Sequence, residues 1–128
     1  MEILKAKRAI ETLEAAIAIL VMLATVNLGM VVYGQQAVQA AARHGARMGS
    51  VAQQCGACYA ASAASSAIDS DPIVKEPSVA ILSQGGVAGS ILSVRVSGTI
   101  PSFLGSLVPG LPGSFPVSAE ATFRQEGW

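Results

Sequence analysis

The run AAIAILVMLATVNLGMVVY, residues 15–33, constrains this chain more than any other feature. It holds 19 residues without a full charge. As a helix rising ~1.5 Å per residue it reaches roughly 28 Å, close to the ~20 residues that cross the hydrocarbon core of a bilayer. The whole chain has 128 residues, so what remains beside this segment amounts to one small domain. The run therefore predicts a membrane-spanning helix that carries a small head, and it leaves no room for a large enzyme.

Charge placement orients that helix. Lys5, Lys7 and Arg8 stand just before the run, whereas the next cations, Arg43 and Arg47, come well after its end. The nearer, denser cluster favours a cytoplasmic N-terminus and an exported C-terminal part. A secretory signal peptide has a similar plan, but its apolar core is usually ~7–15 residues and ends at a small-x-small cleavage site. Here the sequence continues through Gly34, Gln35, Gln36 and Ala37 without a stop, so the helix is expected to be kept. Glu14 lies at the mouth of the run, where an ionised carboxylate entering lipid or a helix bundle is costly unless paired. Glu11, one turn earlier, suits the headgroup level.

No proline occurs before Pro72, and residues 1–54 read as one continuous helix: a basic, leader-like segment 1–9, then a long helix 10–54. Its second half is amphipathic. Ala37, Ala41, Gly45 and Gly49 recur at four-residue spacing beside a parallel row of Val38, Ala42, Ala46 and Ser50. Residues four apart share a helix face, so this row lets another backbone come close. That backbone could belong to a second subunit or to the protein's own sheet, on different faces of one helix.

Residues 55–128 form the expected head. After Cys55-Gly56-Ala57-Cys58, the Ala-rich stretch 59–69 predicts a short helix of about three turns, stopped by Asp69, Ser70, Asp71 and Pro72. The period then changes. Residues 78–83 and 91–97 predict strands joined by a turn at 84–89, and residues 117–124 a third strand, after a Pro- and Gly-rich loop 101–116. Leu92, Val94 and Val96 oppose Ser93, Arg95 and Ser97; likewise Val117, Ala119, Ala121 and Phe123 oppose Ser118, Glu120, Thr122 and Arg124. One apolar face per strand means a sheet covered on one side, and three short strands need a cover. The fold class is α+β: a long N-terminal helix, a short helix, and a small three-stranded antiparallel sheet packed on the helical segment. Arg95 and Glu120 fall where they can pair across the sheet, an interaction worth ~0–1 kcal/mol at a surface.

Chemistry-bearing motifs are few. Cys55 and Cys58 are the only cysteines, and in an exported segment they suggest a structural disulfide. Haem attachment of the c type needs His where Tyr59 stands, and zinc needs further ligands where the only His is His44. Thioredoxin-like redox chemistry needs a strand before the motif and a helix N-terminus at it, whereas the long helix is expected to end just before. Neither a nucleophile with its base, nor paired carboxylates, nor a phosphate-binding loop is recognisable. No catalytic residue, metal site or cofactor is expected. Zero net charge gives no global reason to expect nucleic acid as a partner.

The segment KAKRAIETLE, the apolar run, and YGQQAVQAAARHGAR that follows resemble the TadE-like, tight-adherence branch of type IV pilins. The resemblance covers about residues 5–52. It implies a cleavage point between Ala9 and Ile10, Ala9 standing where glycine is commoner, and it places Glu14 at the fifth position of the cut chain. It further implies a filament subunit: held in the cytoplasmic membrane by its helix, cut by a prepilin peptidase or assembled with residues 1–9 kept, and then extracted by a pilus assembly machine. Copies of the chain would pack through their helices into an extracellular pilus for surface attachment. Glu14 would meet a neighbour's N-terminal amine, or Lys5, Lys7 or Arg8 if the leader stays. Two other readings use the same fold. One is a minor pilin or pseudopilin of an assembly or secretion apparatus. The other is a monomeric membrane-anchored binding module that presents Phe103, Leu104, Leu107, Val108 and Leu111 of the Pro-rich loop.

Overall fold

The computed structural model describes residues 1–111 and 113–126; Pro112 of the expected loop 101–116, and the last two positions of the head 55–128, lie outside the described residues. The element order is α1 (Glu2–Ser50), α2 (Gly56–Asp69), β1 (Lys75–Gln84), β2 (Ile91–Pro101), the 3-10 turn η1 (Leu104–Ser106) and β3 (Ser114–Arg124). The strands make an antiparallel meander in the order β1-β2-β3. Both helices cover one face of it, as the one-sided alternation of the strands requires.

The core is aliphatic and small. Leu92, Val94, Val96 and Ile100 of β2 are fully buried, with Val38, Ala42 and Ala46 of α1 and Ala60 and Ala64 of α2. Central position explains β2, which is paired on both edges and lies under both helices. Alanine-rich helices can sit close to such a sheet because their side chains add little thickness. The opposite face is built of hydroxyls and one ion pair: Ser78 Oγ meets Ser97 Oγ at 2.6 Å, Ser93 Oγ meets Thr122 Oγ1 at 3.0 Å, and Arg95 Nη2 meets Glu120 Oε2 at 3.3 Å. The expected Arg95–Glu120 pairing is thus present, directly opposite in register. Both side chains remain about half exposed, which keeps the pair in the weak surface class.

Several boundaries differ from the sequence expectation. Helix α1 stops at Ser50, four residues before Gln54. Helix α2 begins at Gly56, so the CGAC motif opens it, and Cys55 is its N-cap with φ 42°. Strand β1 starts at Lys75 through an irregularity between Lys75 and Ser78 that contains Glu76 at φ 49°. A bulge of this kind admits Pro77, which cannot donate to a ladder. The Pro-rich segment is shorter than expected, because Ser114, Phe115 and Pro116 pair with Pro101, Ile100 and Thr99. Pro116 is tolerated because β3 is an edge strand. Ser93 faces outward as expected but is covered there by its contact with Thr122, and Phe123, read as inward, stays 38% exposed at the open end of β3.

Candidate functional site

Helix α1 has two halves in different surroundings. From Met1 to Val26 every residue but Leu23 is exposed; burial begins at Asn27 and follows with Gly34, Val38, Ala41, Ala42, Gly45, Ala46, Gly49 and Ser50. The free half is thus a rod about 37 Å long for its 25 residues from Glu2. Its side chains leave no polar face over the apolar part. The consecutive residues Ile19, Leu20, Val21 and Met22 are 58, 43, 59 and 68% exposed, and at ~100° per residue four in a row circle the helix. Of the most apolar 18-residue window in α1, only 6% is buried inside the head. A surface apolar all round is stable in lipid or among similar helices, not in water. The N-terminal helix is long and apolar enough to cross a membrane.

The polar side chains inside the apolar run fit that setting. Thr25 returns its hydroxyl to the carbonyl of Val21 at 2.8 Å, a bond that needs no water. Asn27 is 3% exposed, and its Oδ1 accepts the backbone N–H of Phe103 at 2.9 Å. This contact draws the loop after β2 onto the helix. Leu104 and Phe115 then close an apolar recess of about 290 Å³ against Ala24, Asn27, Leu28 and Val31.

The row of small residues lies in the docked half and is occupied within the chain. Ala41, Gly45 and Gly49 are buried and Ala37 is half-buried against the core. A Cβ placed on Gly45 would stand 2.6 Å from Ala64 Cβ and 2.7 Å from the carbonyl oxygen of Ala60. On Gly49 it would stand 2.6 Å from the carbonyl oxygen of Gly56 and 2.7 Å from Ala60 Cβ. At Gly45 the close approach is between α1 and α2, while at Gly49 it is shared with the sheet expected there, Leu92 Cδ2 of β2 being the nearest atom. His44 is exposed and edges a shallow groove of about 440 Å³ with Tyr33, Gln36, Ala40, Ala67 and Asp71.

Ala9, Ile10 and Glu14 lie on the free half and are exposed. Glu14 has no ion-pair partner among the described residues. Cys55 and Cys58 are joined by a disulfide across the first turn of α2. Among the described residues no three His, Cys, Asp or Glu side chains gather where they could hold a metal ion.

One structural residue was missed from sequence. Gln125 is 3% exposed, and its Nε2 donates to the carbonyls of Gly49, Ser50 and Ala52 at 3.1, 3.1 and 3.2 Å. The backbone N–H of Glu126 adds a bond to Ser50 O at 2.9 Å. A helix C-terminus leaves carbonyls unsatisfied, and here the end of β3 supplies the donors. That is why α1 ends at Ser50 although Val51, Ala52, Gln53 and Gln54 carry no local stop signal. Gln125 Oε1 is buried and has no hydrogen-bond partner among the described residues.

No curated protein and no solved structure matches the chain. The family model for TadE-like protein matches residues 12–47, a span that starts on the free rod before the apolar run and ends among the residues of α1 packed on α2. The resemblance noted from KAKRAIETLE onward is therefore supported over residues 12–47, the segment in which this chain is similar to TadE-like proteins.

Proposed function

We propose that the chain is a pilin: a subunit held in the cytoplasmic membrane by the free half of α1 and then assembled, helix against helix, into a Tad-like filament at the cell surface. The observation that carries the reading is the rod itself, uninterrupted and apolar around its circumference, yet continuous with a folded head. A membrane anchor could be joined by a flexible linker. A rigid continuation fixes where the head sits relative to the rod, which a regular helical polymer needs and a tethered module does not. Because Gly45 and Gly49 of the small-residue row are taken up by α2 and the sheet, copies would meet along residues 2–26, with the exposed Tyr33, Gln36, Ala40 and His44 face as the nearest part of the docked half. Glu14 is the charge in that contact zone closest to the apolar run. Lys5, Lys7 and Arg8 of a neighbour, or its N-terminal amine if the chain is cut between Ala9 and Ile10, are the cations available to it.

Intact-mass measurement and negative-stain microscopy of material sheared from cells test this together. Filaments whose dominant mass is this chain, with or without its first nine residues, are the expected result. Filaments containing it only in trace amount would make it a minor pilin. Extraction that yields monomers alone, with no filaments in the sheared fraction, would refute the polymer and leave a membrane-anchored module.

A further inference from the structure

The span needed to cross a bilayer and the span left free by the head do not match. Between Glu14 and the first docked residue, Asn27, α1 offers residues 15–26 without charge. Twelve helical residues reach about 18 Å, against a hydrocarbon core of ~30 Å. The missing length is supplied by residues 27–33, which complete the uncharged run. Those residues already carry part of the head: Phe103 is bonded to Asn27, and Leu104 and Phe115 line the recess against Leu28 and Val31. If the run lies in lipid over its full length, this end of the head lies there too.

The head is suited to that at this end. Between Arg95 and Glu120 the chain has 24 consecutive residues without charge, 96–119. The nearest charges of β1 begin one level higher: Lys75 pairs with Thr99, and Val74 packs between Gly34 and Gly98, just where the apolar run of α1 ends at Tyr33. Below that level the loop shows Phe103, Leu107, Val108 and Leu111 at 47, 57, 36 and 42% exposure. Its backbone is largely self-satisfied. The N–H groups of Ser102, Phe103, Gly105, Leu107, Val108 and Leu111 have acceptors within the protein, and Pro109 has no N–H to satisfy. Irregular backbone is costly in lipid chiefly through unsatisfied polar groups.

We propose that loop 102–111 is a foot that enters the outer leaflet of the bilayer beside α1, with its acyl-chain and glycerol region as the ligand, and that the membrane surface lies at the level of Tyr33 and Gly34. The proposal rests on the reading that α1 spans the membrane. It fixes how the head stands before assembly: seated in the outer leaflet rather than held above it. Extraction of a subunit then removes the foot's apolar side chains from lipid as well as the helix.

Single-tryptophan variants of the full chain, in a Trp128→Phe background, test the depth. They are reconstituted in phosphatidylethanolamine and phosphatidylglycerol vesicles that contain phosphatidylcholine brominated near the glycerol or near the chain end. Ile19→Trp reports on the helix, Leu107→Trp and Leu111→Trp on the foot, and Val87→Trp, 76% exposed in the β1–β2 turn, on the far end of the head. The expected result is blue-shifted emission and loss of intensity for Ile19→Trp and for both loop variants, the latter quenched best by bromine near the glycerol, with Val87→Trp unaffected. Quenching of Ile19→Trp with loop variants as unquenched as Val87→Trp overturns the foot and leaves the spanning helix. Loop variants shielded from aqueous acrylamide but not quenched by lipid also overturn it, in favour of cover by another protein surface. An unquenched Ile19→Trp removes the spanning helix and the foot with it.

Discussion

Replacing Gly45 by alanine separates packing from propensity with a single methyl. In an unobstructed helix interior the change would stabilise by ~1 kcal/mol, because alanine loses less backbone freedom than glycine. At Gly45 the new Cβ would lie 2.6 Å from Ala64 Cβ, 2.7 Å from Ala60 O and 3.2 Å from Ala64 N. Two of these three are backbone atoms of α2 and the third is its shortest side chain, so no rotamer change relieves the contact. The helices must separate, and with them the buried Ala60 and Ala64 layer. Overpacking of a tight core costs ~1–3 kcal/mol, and the rigid neighbours place this case near the upper end. Subtracting the gain in propensity leaves a net loss of about 2 kcal/mol. For a head of this size each 1 kcal/mol moves the melting temperature by ~4–8 °C, so a fall of roughly 10 °C is expected. The measurement is near-ultraviolet circular dichroism of the full chain in detergent during heating. Gly29→Ala is the control, since a Cβ there meets nothing within 4 Å, and it should melt at or above the wild-type temperature. A Gly45→Ala protein as stable as wild type, or both variants shifting alike, would refute the claim that α1 and α2 are in backbone contact.

Gln125 should be the most sensitive polar residue of the head. Gln125→Leu removes the donor to three carbonyls and should cost about 2 kcal/mol, and Gln125→Glu should lower the urea midpoint further, because a carboxylate would face those carbonyls without a proton to donate. Asn27→Leu removes the acceptor of the Phe103 N–H; a loss of about 1 kcal/mol is expected, seen as faster amide hydrogen exchange across residues 102–111 with α2 unchanged. Opening the Cys55–Cys58 bridge, which closes a loop of only four residues, should cost about 2 kcal/mol by the loop-entropy relation, so the Cys55→Ser, Cys58→Ser double variant should fold and melt lower. A double variant that fails to fold at all would mean that the disulfide holds more than the first turn of α2.

The large features of this fold were legible because each depends on local pattern. Residues 15–33 announced the helix by length and lack of charge, and the alternation around Val94 and Val96 announced strands with one buried face. Arg95 and Glu120 could be paired because period-two alternation put both on the outer face. What was not legible depends on partners distant in sequence. Nothing near Ser50 says that the helix ends there; the donors come from Gln125 and Glu126. Nothing near Asn27 says that it is buried, since an Asn in an apolar run is equally compatible with lipid, and only the return of β2 toward the helix brings Phe103 to it. The row Ala37, Ala41, Gly45 and Gly49 was readable as a place of close approach, but a stripe of small residues does not name its partner, and the short helix α2 lies there. Ser114, Phe115 and Pro116 read as loop from composition because an edge strand accepts a proline that a central strand would refuse.

The way α1 lies on the sheet has a mechanical meaning. Gly34 meets Ile100 and Gly49 meets Leu92, so the docked helix runs antiparallel to β2 and along it: fifteen helical steps are about 22 Å, and eight strand steps about 26 Å. A tension applied to the free rod is therefore directed along the interface and not away from it. Every layer of that interface, from Gly34 to the capped end at Ser50, is loaded in parallel as shear, where a hinged tether would open one contact at a time. A force that drags the rod out of a membrane drags the folded head as one body.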